Sequence, residues 1–150
     1  MAETITALTE QLFSQLQKEK LVLLATIDAE TGAPNVSAIS WVYAVSPTQV
    51  RFAIDQRSRL VANMKKHPQV TLTFFGEGTV NALYGQASVV TDALEGVPFK
   101  LTCFDVALEA VRDAMFYGSR VSVEPEYEKT YDKRAAEKLD GQVFDAMKKA

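Results

Sequence analysis

The stretch that most limits what this chain can fold into runs from Val50 to Pro68. Residues alternate in character from Val50 through Arg51, Phe52, Ala53 and Ile54, which is the period of a strand. Beyond Ser58 the strand gives way to a short helix that Pro68 stops. Ser58 and Arg59 therefore stand where a strand hands over to a helix N-terminus. The free backbone N–H groups and partial positive charge of that terminus, with a hydroxyl and a guanidinium beside them, suit a phosphate. A serine before a helix also acts simply as an N-cap, worth about 1 kcal/mol.

At 150 residues the chain fits one domain, residues 1–150, able to bury about two thirds of its unfolded surface without disulfides or a structural metal. The net charge of −3, with acids and bases interspersed, argues against a nucleic-acid partner, which demands a clustered positive surface. The last third carries many Lys and Arg residues, but Glu124, Glu126, Glu128, Asp132, Glu137 and Asp140 interrupt them, as on a solvated helix face. No apolar run is long enough for a membrane span, and the start lacks a signal-peptide pattern, so a cytoplasmic protein is expected. Cys103 is the only cysteine and His67 the only histidine, which excludes an internal disulfide and a cysteine-ligated zinc site; no structural metal is expected, while carboxylate-bound magnesium stays open.

The remaining punctuation predicts the elements. Ile5, Leu8, Leu12, Phe13 and Leu16 recur at helical spacing, giving an amphipathic helix that closes near Lys20. Leu21–Ile27 reads as a strand, and Asp28, Gly32 and Pro34 turn it back. Asn35 to Val45 reads as one long strand, with Ser37, Ile39, Trp41 and Tyr43 on one face and Val36, Ala38, Ser40 and Val42 on the other. Val70–Phe75 and Val80–Val90 form a hairpin about Gly76-Glu-Gly-Thr79. Gly85 marks either a bulge or the close approach of a ligand. A linker with Gly96 and Pro98 leads to a second amphipathic helix carrying Leu101, Phe104, Leu108, Val111 and Met115, then a last strand at Arg120–Glu124. A charged C-terminal helix follows from Tyr131 to Lys149, with Leu139, Val143, Phe144 and Met147 on one side. Antiparallel strands joined by short turns, with helices at the start, in one crossover and at the end, describe an α+β domain on a small barrel.

Few side chains offer reactivity. His67, at a helix end beside Lys65 and Lys66, has the placement of a structural cation, and no nucleophile is placed near it, which rejects a triad hydrolase. Cys103 falls among Leu101, Phe104 and Val106 and reads as a small buried hydrophobe. Trp41 and Tyr43 are either core or interface residues or an apolar wall for a flat heteroaromatic ring.

Taken together, Gly32-Ala-Pro-Asn-Val-Ser-Ala-Ile-Ser-Trp41, Val50-Arg-Phe-Ala-Ile54, Ser58-Arg59, His67-Pro68-Gln-Val70 and Tyr84-Gly-Gln-Ala87 resemble the pyridoxamine 5′-phosphate oxidase-like, flavin-binding split-barrel family over roughly residues 5–92. The resemblance implies a six-stranded antiparallel Greek-key split β-barrel with flanking helices, its core over about 20–125 and its C-terminal helix over about 130–149. It implies a homodimer with FMN at the interface. Ser37, Ala38, Ile39, Ser40 and Trp41 would run along the flavin ring; Phe52, Ala53, Ile54, Ser58 and Arg59 would hold the ribityl phosphate; Gln86 would approach from a neighbouring strand. Leu60 stands where the family usually has a lysine, and Arg51, Arg57, Lys65 and Lys66 are the nearby cations that could replace it. The implied activity is that of a flavin-dependent oxidoreductase of unknown substrate. The alternative is a non-catalytic flavin, haem or deazaflavin binding or stress protein on the same barrel.

Overall fold

The computed structural model describes residues 4–150. Its elements are β1 (Thr4–Ile5), α1 (Glu10–Gln15), β2 (Val22–Ile27), β3 (Pro34–Ile39), β4 (Val42–Ser46), β5 (Gln49–Asp55), α2 (Arg59–Lys66), β6 (Gln69–Gly76), β7 (Thr79–Thr91), β8 (Leu101–Asp113) and α3 (Lys133–Lys149). All strand pairs are antiparallel. The sheet runs β3-β2-β6-β7-β8-β5-β4, with the two-residue β1 added to β8, so eight strands stand where the resemblance implied six.

Why these segments pair is visible in their inward residues. Val22, Leu24, Val42, Ala44, Val50, Phe52, Leu72, Phe74, Leu83, Phe104 and Val106 alternate into one interior, and Phe52 stacks on Phe104 with ring centroids 5.6 Å apart. Leu8, Leu12 and Leu16 close one side of this core from the α1 region. Here the first helix is shorter than its apolar spacing predicts: Thr9 caps it, accepting from the Leu12 N–H at 3.2 Å, and the chain leaves helix after Gln15. Leu16 then accepts a backbone bond from Ala44 N, which ties this segment to the β4 edge. The β6–β7 hairpin turns through Glu77 and Gly78, with φ of 55° and 74°, the left-handed pair that two-residue hairpins favour.

A second, separate cluster lies outside the barrel. Val143, Ala146 and Met147 of α3 cover Ala53, Leu101 and Cys103, with Trp41, Tyr43, Leu139 and Phe144 packed around them. Thus α3 lies on the outer face of β4, β5 and β8. Its N-terminus is capped by Asp132, which accepts from the Arg134 and Ala135 N–H groups. No helix among the described residues is long and apolar enough to cross a membrane.

Three expectations are corrected. The predicted second helix at Leu101–Met115 is the thirteen-residue strand β8, so Cys103 lies on a strand. Both faces of β8 are covered where Leu101–Phe104 are all buried, which hides the alternation. In addition, Gly85 pairs with Leu108 while Tyr84 pairs with Ala110, so an extra residue on β8 reverses the side-chain parity. Phe104, Leu108 and Val111 all reach the core at spacings of four and three, which imitate a helix. The predicted long strand Asn35–Val45 breaks at Ser40–Trp41, because β3 and β4 belong to opposite ends of the sheet. Ile39 and Val42 both pack on the core, so Ser37 and Ile39 do not share a face with Trp41 and Tyr43. Residues Arg120–Glu124 form no strand.

Candidate cofactor site

The strand β3 pairs with β2 alone. Among the described residues, no other backbone group bonds to Val36–Ser40, so one edge of this strand keeps its N–H and C=O groups free. Ser37, Ala38 and Ile39 lie on this edge strand, and Ser40 and Trp41 form the crossing to β4. Trp41 O accepts from Ala53 N at 3.1 Å, which brings the crossing against β5. β3 and β4, the two ends of the strand path, are thus joined through Ser40 and Trp41, and the predicted residues lie along that edge and crossing.

Phe52 and Ile54 point into the interior, at 0% and 6% exposure, and Ala53 is covered by α3. The backbone of β5 is paired to β4 on one side and β8 on the other, so these three residues shape the wall rather than present side chains to a ligand. Gln86 lies on β7, separated from β3 by β2 and β6, and its amide donates to Glu109 at 3.4 Å. Within one chain it is not brought to the β3 edge.

Ser58 caps α2 as its position predicts: its hydroxyl accepts from Leu60 N at 3.2 Å, and its carbonyl accepts from Val61 N at 3.1 Å. Arg59, the first residue of α2, is exposed and belongs to none of the ion pairs among the described residues. Leu60 is 6% exposed and packs in the barrel core, so the position where the family has a lysine is apolar by construction. Asn63, buried in the same helix, donates to Thr26 and accepts from Ala29 N, fixing α2 to β2 and to the turn that starts β3.

Each of the four nearby cations has a partner already. Arg57 binds Asp55 at 3.1 Å, and that contact holds the Asp55 carboxyl below its ordinary value. Lys65 pairs with Asp92, and Lys66 donates to the Ala29 carbonyl. Arg51 is buried: it grips Asp105 through Nε at 2.6 Å and Nη2 at 3.0 Å, while Nη1 donates to the carbonyls of Met147 at 2.7 Å and Ala150 at 2.8 Å. Gln49 also donates to Asp105. Arg51 is thus a clamp on the end of α3, and nothing of it reaches the α2 N-terminus. Beside this terminus, Asp55, Gln56, Arg57, Phe99 and Lys100 line an open cavity of about 380 Å³.

Sequence reasoning did not single out the polar group behind Trp41. The indole N–H donates to Asp140 Oδ1 of α3 at 2.8 Å, and Asp140 pairs with Lys129 at 3.1 Å, which also binds Glu19 at 3.0 Å. Burial opposes ionisation of Asp140, but the Trp41 N–H and the Lys129 ammonium outweigh it and hold the carboxyl below its ordinary value. The signal was spread over four segments of the chain, so no local motif carried it.

The β3 edge supplies free backbone donors and acceptors of the kind the polar edge of a flavin takes, whereas the Trp41 indole is packed under α3. The phosphate end has a helix N-terminus, the unpaired Arg59 and, lining the adjacent cavity, Lys100, which belongs to none of the ion pairs among the described residues.

Comparison with solved structures gives the fold independently. A Lactobacillus delbrueckii protein named for pyridoxamine 5′-phosphate oxidase superposes with a TM-score of 0.61 at 21% identity, covering 71% of this chain and 94% of its own. An F420 reductase gives 0.58 at 17% identity, covering 69% and 97%. HutZ, a haem storage protein of Vibrio cholerae, gives 0.50 at 20% identity, covering 65% and 85%. No curated protein sequence matches the chain. These likenesses establish the split-barrel fold, and proteins of different ligands share it. The pyridoxamine 5′-phosphate oxidase family model matches residues 8–113, from Leu8 to the end of β8 and short of α3. The chain belongs to that family.

Proposed function

We propose that this protein is an FMN-binding flavoprotein of the oxidoreductase class, working as a homodimer. The observation that carries this reading is the free edge of β3, which runs into Trp41 while the unpaired Arg59 stands at the start of α2. Val36–Ser40 offer backbone groups to the polar edge of a flavin, and Ser58 and Arg59 hold its phosphate. FMN, when bound, supplies two-electron chemistry. The residues of this chain orient the ring and exclude water from one face of it. In this reading Gln86, three strands from β3, would meet the flavin from a second copy.

Reconstitution with FMN, removal of free cofactor and a visible spectrum test the reading. A flavin band retained at one per chain is expected, together with a dimer by light scattering. A colourless monomer would refute it.

A second reading has one observation in its favour. Leu60 is buried in the core, so the phosphate end lacks a cation that FMN exploits. Haem or a deazaflavin on the same barrel is that alternative, and the F420 reductase and haem storage neighbours have this fold. Parallel reconstitution with haem decides between them: a Soret band retained in preference to a flavin band selects haem.

A further inference from the structure

We propose that the outward face of β3, β2, β6 and β7 is the surface on which a second copy of this chain docks, about a two-fold axis that runs between β2 and β6, parallel to the strands. The proposal rests on the homodimer of the reading above and names its contact surface; it stands apart from the cofactor.

Successive residues of these strands alternate between the barrel and the outside. Val22, Leu24, Val70, Leu72 and Leu83 point into the core, whereas Leu23, Ala25, Ile27, Val36 and Tyr84 belong to neither apolar cluster. Strand register sets Val36, Ala25, Thr71 and Tyr84 in one row across the face. Ala25, Thr71 and Tyr84 are half-buried, and Val36 is 66% exposed. Among the described residues no helix buries its apolar side here: α1 and α2 turn theirs into the barrel, and α3 covers β4, β5 and β8. An open cavity of about 380 Å³ is left on this face, lined in part by Ala25, Ile27, Pro34, Gln69 and Thr71.

What the face lacks is charge. β2, β3, β6 and β7 contain no Asp, Glu, Lys or Arg, in a chain of which 23% is charged. A sheet face left in water carries polar and charged residues, and a bare edge strand such as β3 needs them most. Four strands about 4.8 Å apart, over the six residues of β2 and β3 at about 3.4 Å each, make an uncharged patch of about 400 Å² in plan, the size that marks an interaction site. Absence of charge also selects the occupant. Near a two-fold axis each charge meets its like, so a neutral face is the kind that tolerates its own copy. The row fits itself as well: rotation lays β2 on the partner's β6 and β3 on the partner's β7, with Ala25 over Thr71 of the partner subunit and Val36 over Tyr84 of the partner subunit. Small residues then sit at the axis and larger ones at the ends. This axis keeps the backbone edge of β3 at the margin of the contact and brings Gln86 of the partner subunit toward β3. An axis across the strands would set β3 on β3 and leave Gln86 three strands away in both copies.

Sedimentation and light scattering of the parent, Thr71→Glu, Val36→Glu and Val45→Glu test the surface, with far-UV circular dichroism to show that each is folded. Val36→Glu, at a position already 66% exposed in one chain, guards against a variant that fails to fold. The parent is expected to be a dimer at micromolar concentration. Thr71→Glu, which sets two carboxylates near the axis, and Val36→Glu should each raise the dissociation constant about hundredfold or more, while Val45→Glu, on β4 outside the face, leaves it unchanged. A monomeric parent, or folded Thr71→Glu and Val36→Glu variants that dimerise as tightly as the parent, would overturn the proposal. Oxidation tests the axis. In a Cys103→Ala background, Val36→Cys with Tyr84→Cys should close into a covalent dimer, because within one chain the two positions lie three strand spacings apart, about 14 Å, beyond the reach of a disulfide. Val36→Cys alone cross-linking as readily would place β3 on β3 and overturn the axis. FMN uptake is read on the same samples: a parent dimer that these variants break but that takes up no flavin upholds this surface and sinks the flavin reading alone.

Discussion

Arg51 and Arg59 are eight residues apart and are used in opposite ways. Arg51 leaves β5 on its outer face, is 8% exposed, and spends its donors on Asp105 and on two carbonyls at the end of α3. Arg59 opens α2, is exposed, and has no ion-pair partner among the described residues. A cation with four of its five donors engaged holds a fold together; one held at a helix N-terminus without a partner is available to an anion. The difference separates the α3-covered face, where the cation is tied into the fold, from the α2 terminus, where the proposed reading puts the phosphate.

The largest effect is expected at the clamp. Arg51→Met leaves the Asp105 carboxylate without its cation and frees the end of α3, and should cost about 3–5 kcal/mol of unfolding free energy by denaturant titration. The double variant Arg51→Met with Asp105→Leu should recover most of that loss, because an apolar pair replaces a buried ionic one without leaving a lone charge. A single variant as stable as the parent would erase the distinction between the two arginines.

Leu60→Lys sharpens the comparison from the other side. Restoring the family's lysine places an ammonium at a core position, so stability should fall by about 2–4 kcal/mol while FMN affinity rises. A stable variant with unchanged affinity would show that position 60 neither packs nor faces the phosphate.

Gly85→Ala should cost about 1–3 kcal/mol without altering flavin affinity, since an added Cβ would lie 2.2 Å from the Ala107 carbonyl oxygen, on the strand bulge rather than in the groove.

The smallest effect is a pH dependence under α3. Burial pushes the Cys103 thiol from an ordinary value of 9.0 up to about 12. The folded state therefore keeps a proton that the unfolded state releases. Its contribution to stability is present below pH 9 and lost as pH rises toward 12, at a slope of at most about 1.4 kcal/mol per pH unit. Cys103→Ala should flatten that alkaline slope in melts between pH 9 and 11, and an unchanged slope would mean that α3 does not seal this face.

Much of the barrel was legible in the sequence. β2, β5, α2, the β6–β7 hairpin and α3 stand within a few residues of where periodicity and turn residues place them. Legibility failed where two surfaces cover one strand or where parity shifts. β8 is buried on both faces near Leu101–Phe104 and bulged opposite Gly85, so its apolar spacing imitates a helix. Ile39 and Val42 both face the core, an odd step that no continuous strand allows, and that was the available sign of the break at Ser40–Trp41. In the candidate site, Ser58 and Arg59 were legible because capping is local. The roles of Arg51, Asp105, Asp140 and Lys129 were not, because each depends on a partner about fifty to a hundred residues away, or on three segments meeting.

The most direct measurement of the central claim is the affinity of FMN relative to riboflavin in the parent and in Arg59→Ala. The two ligands differ by the phosphate alone. The parent should prefer FMN, and Arg59→Ala should weaken FMN by about ten- to hundredfold while leaving riboflavin unchanged, removing the preference. An Arg59→Ala variant that binds FMN as tightly as the parent would contradict the assignment of Arg59 to the phosphate.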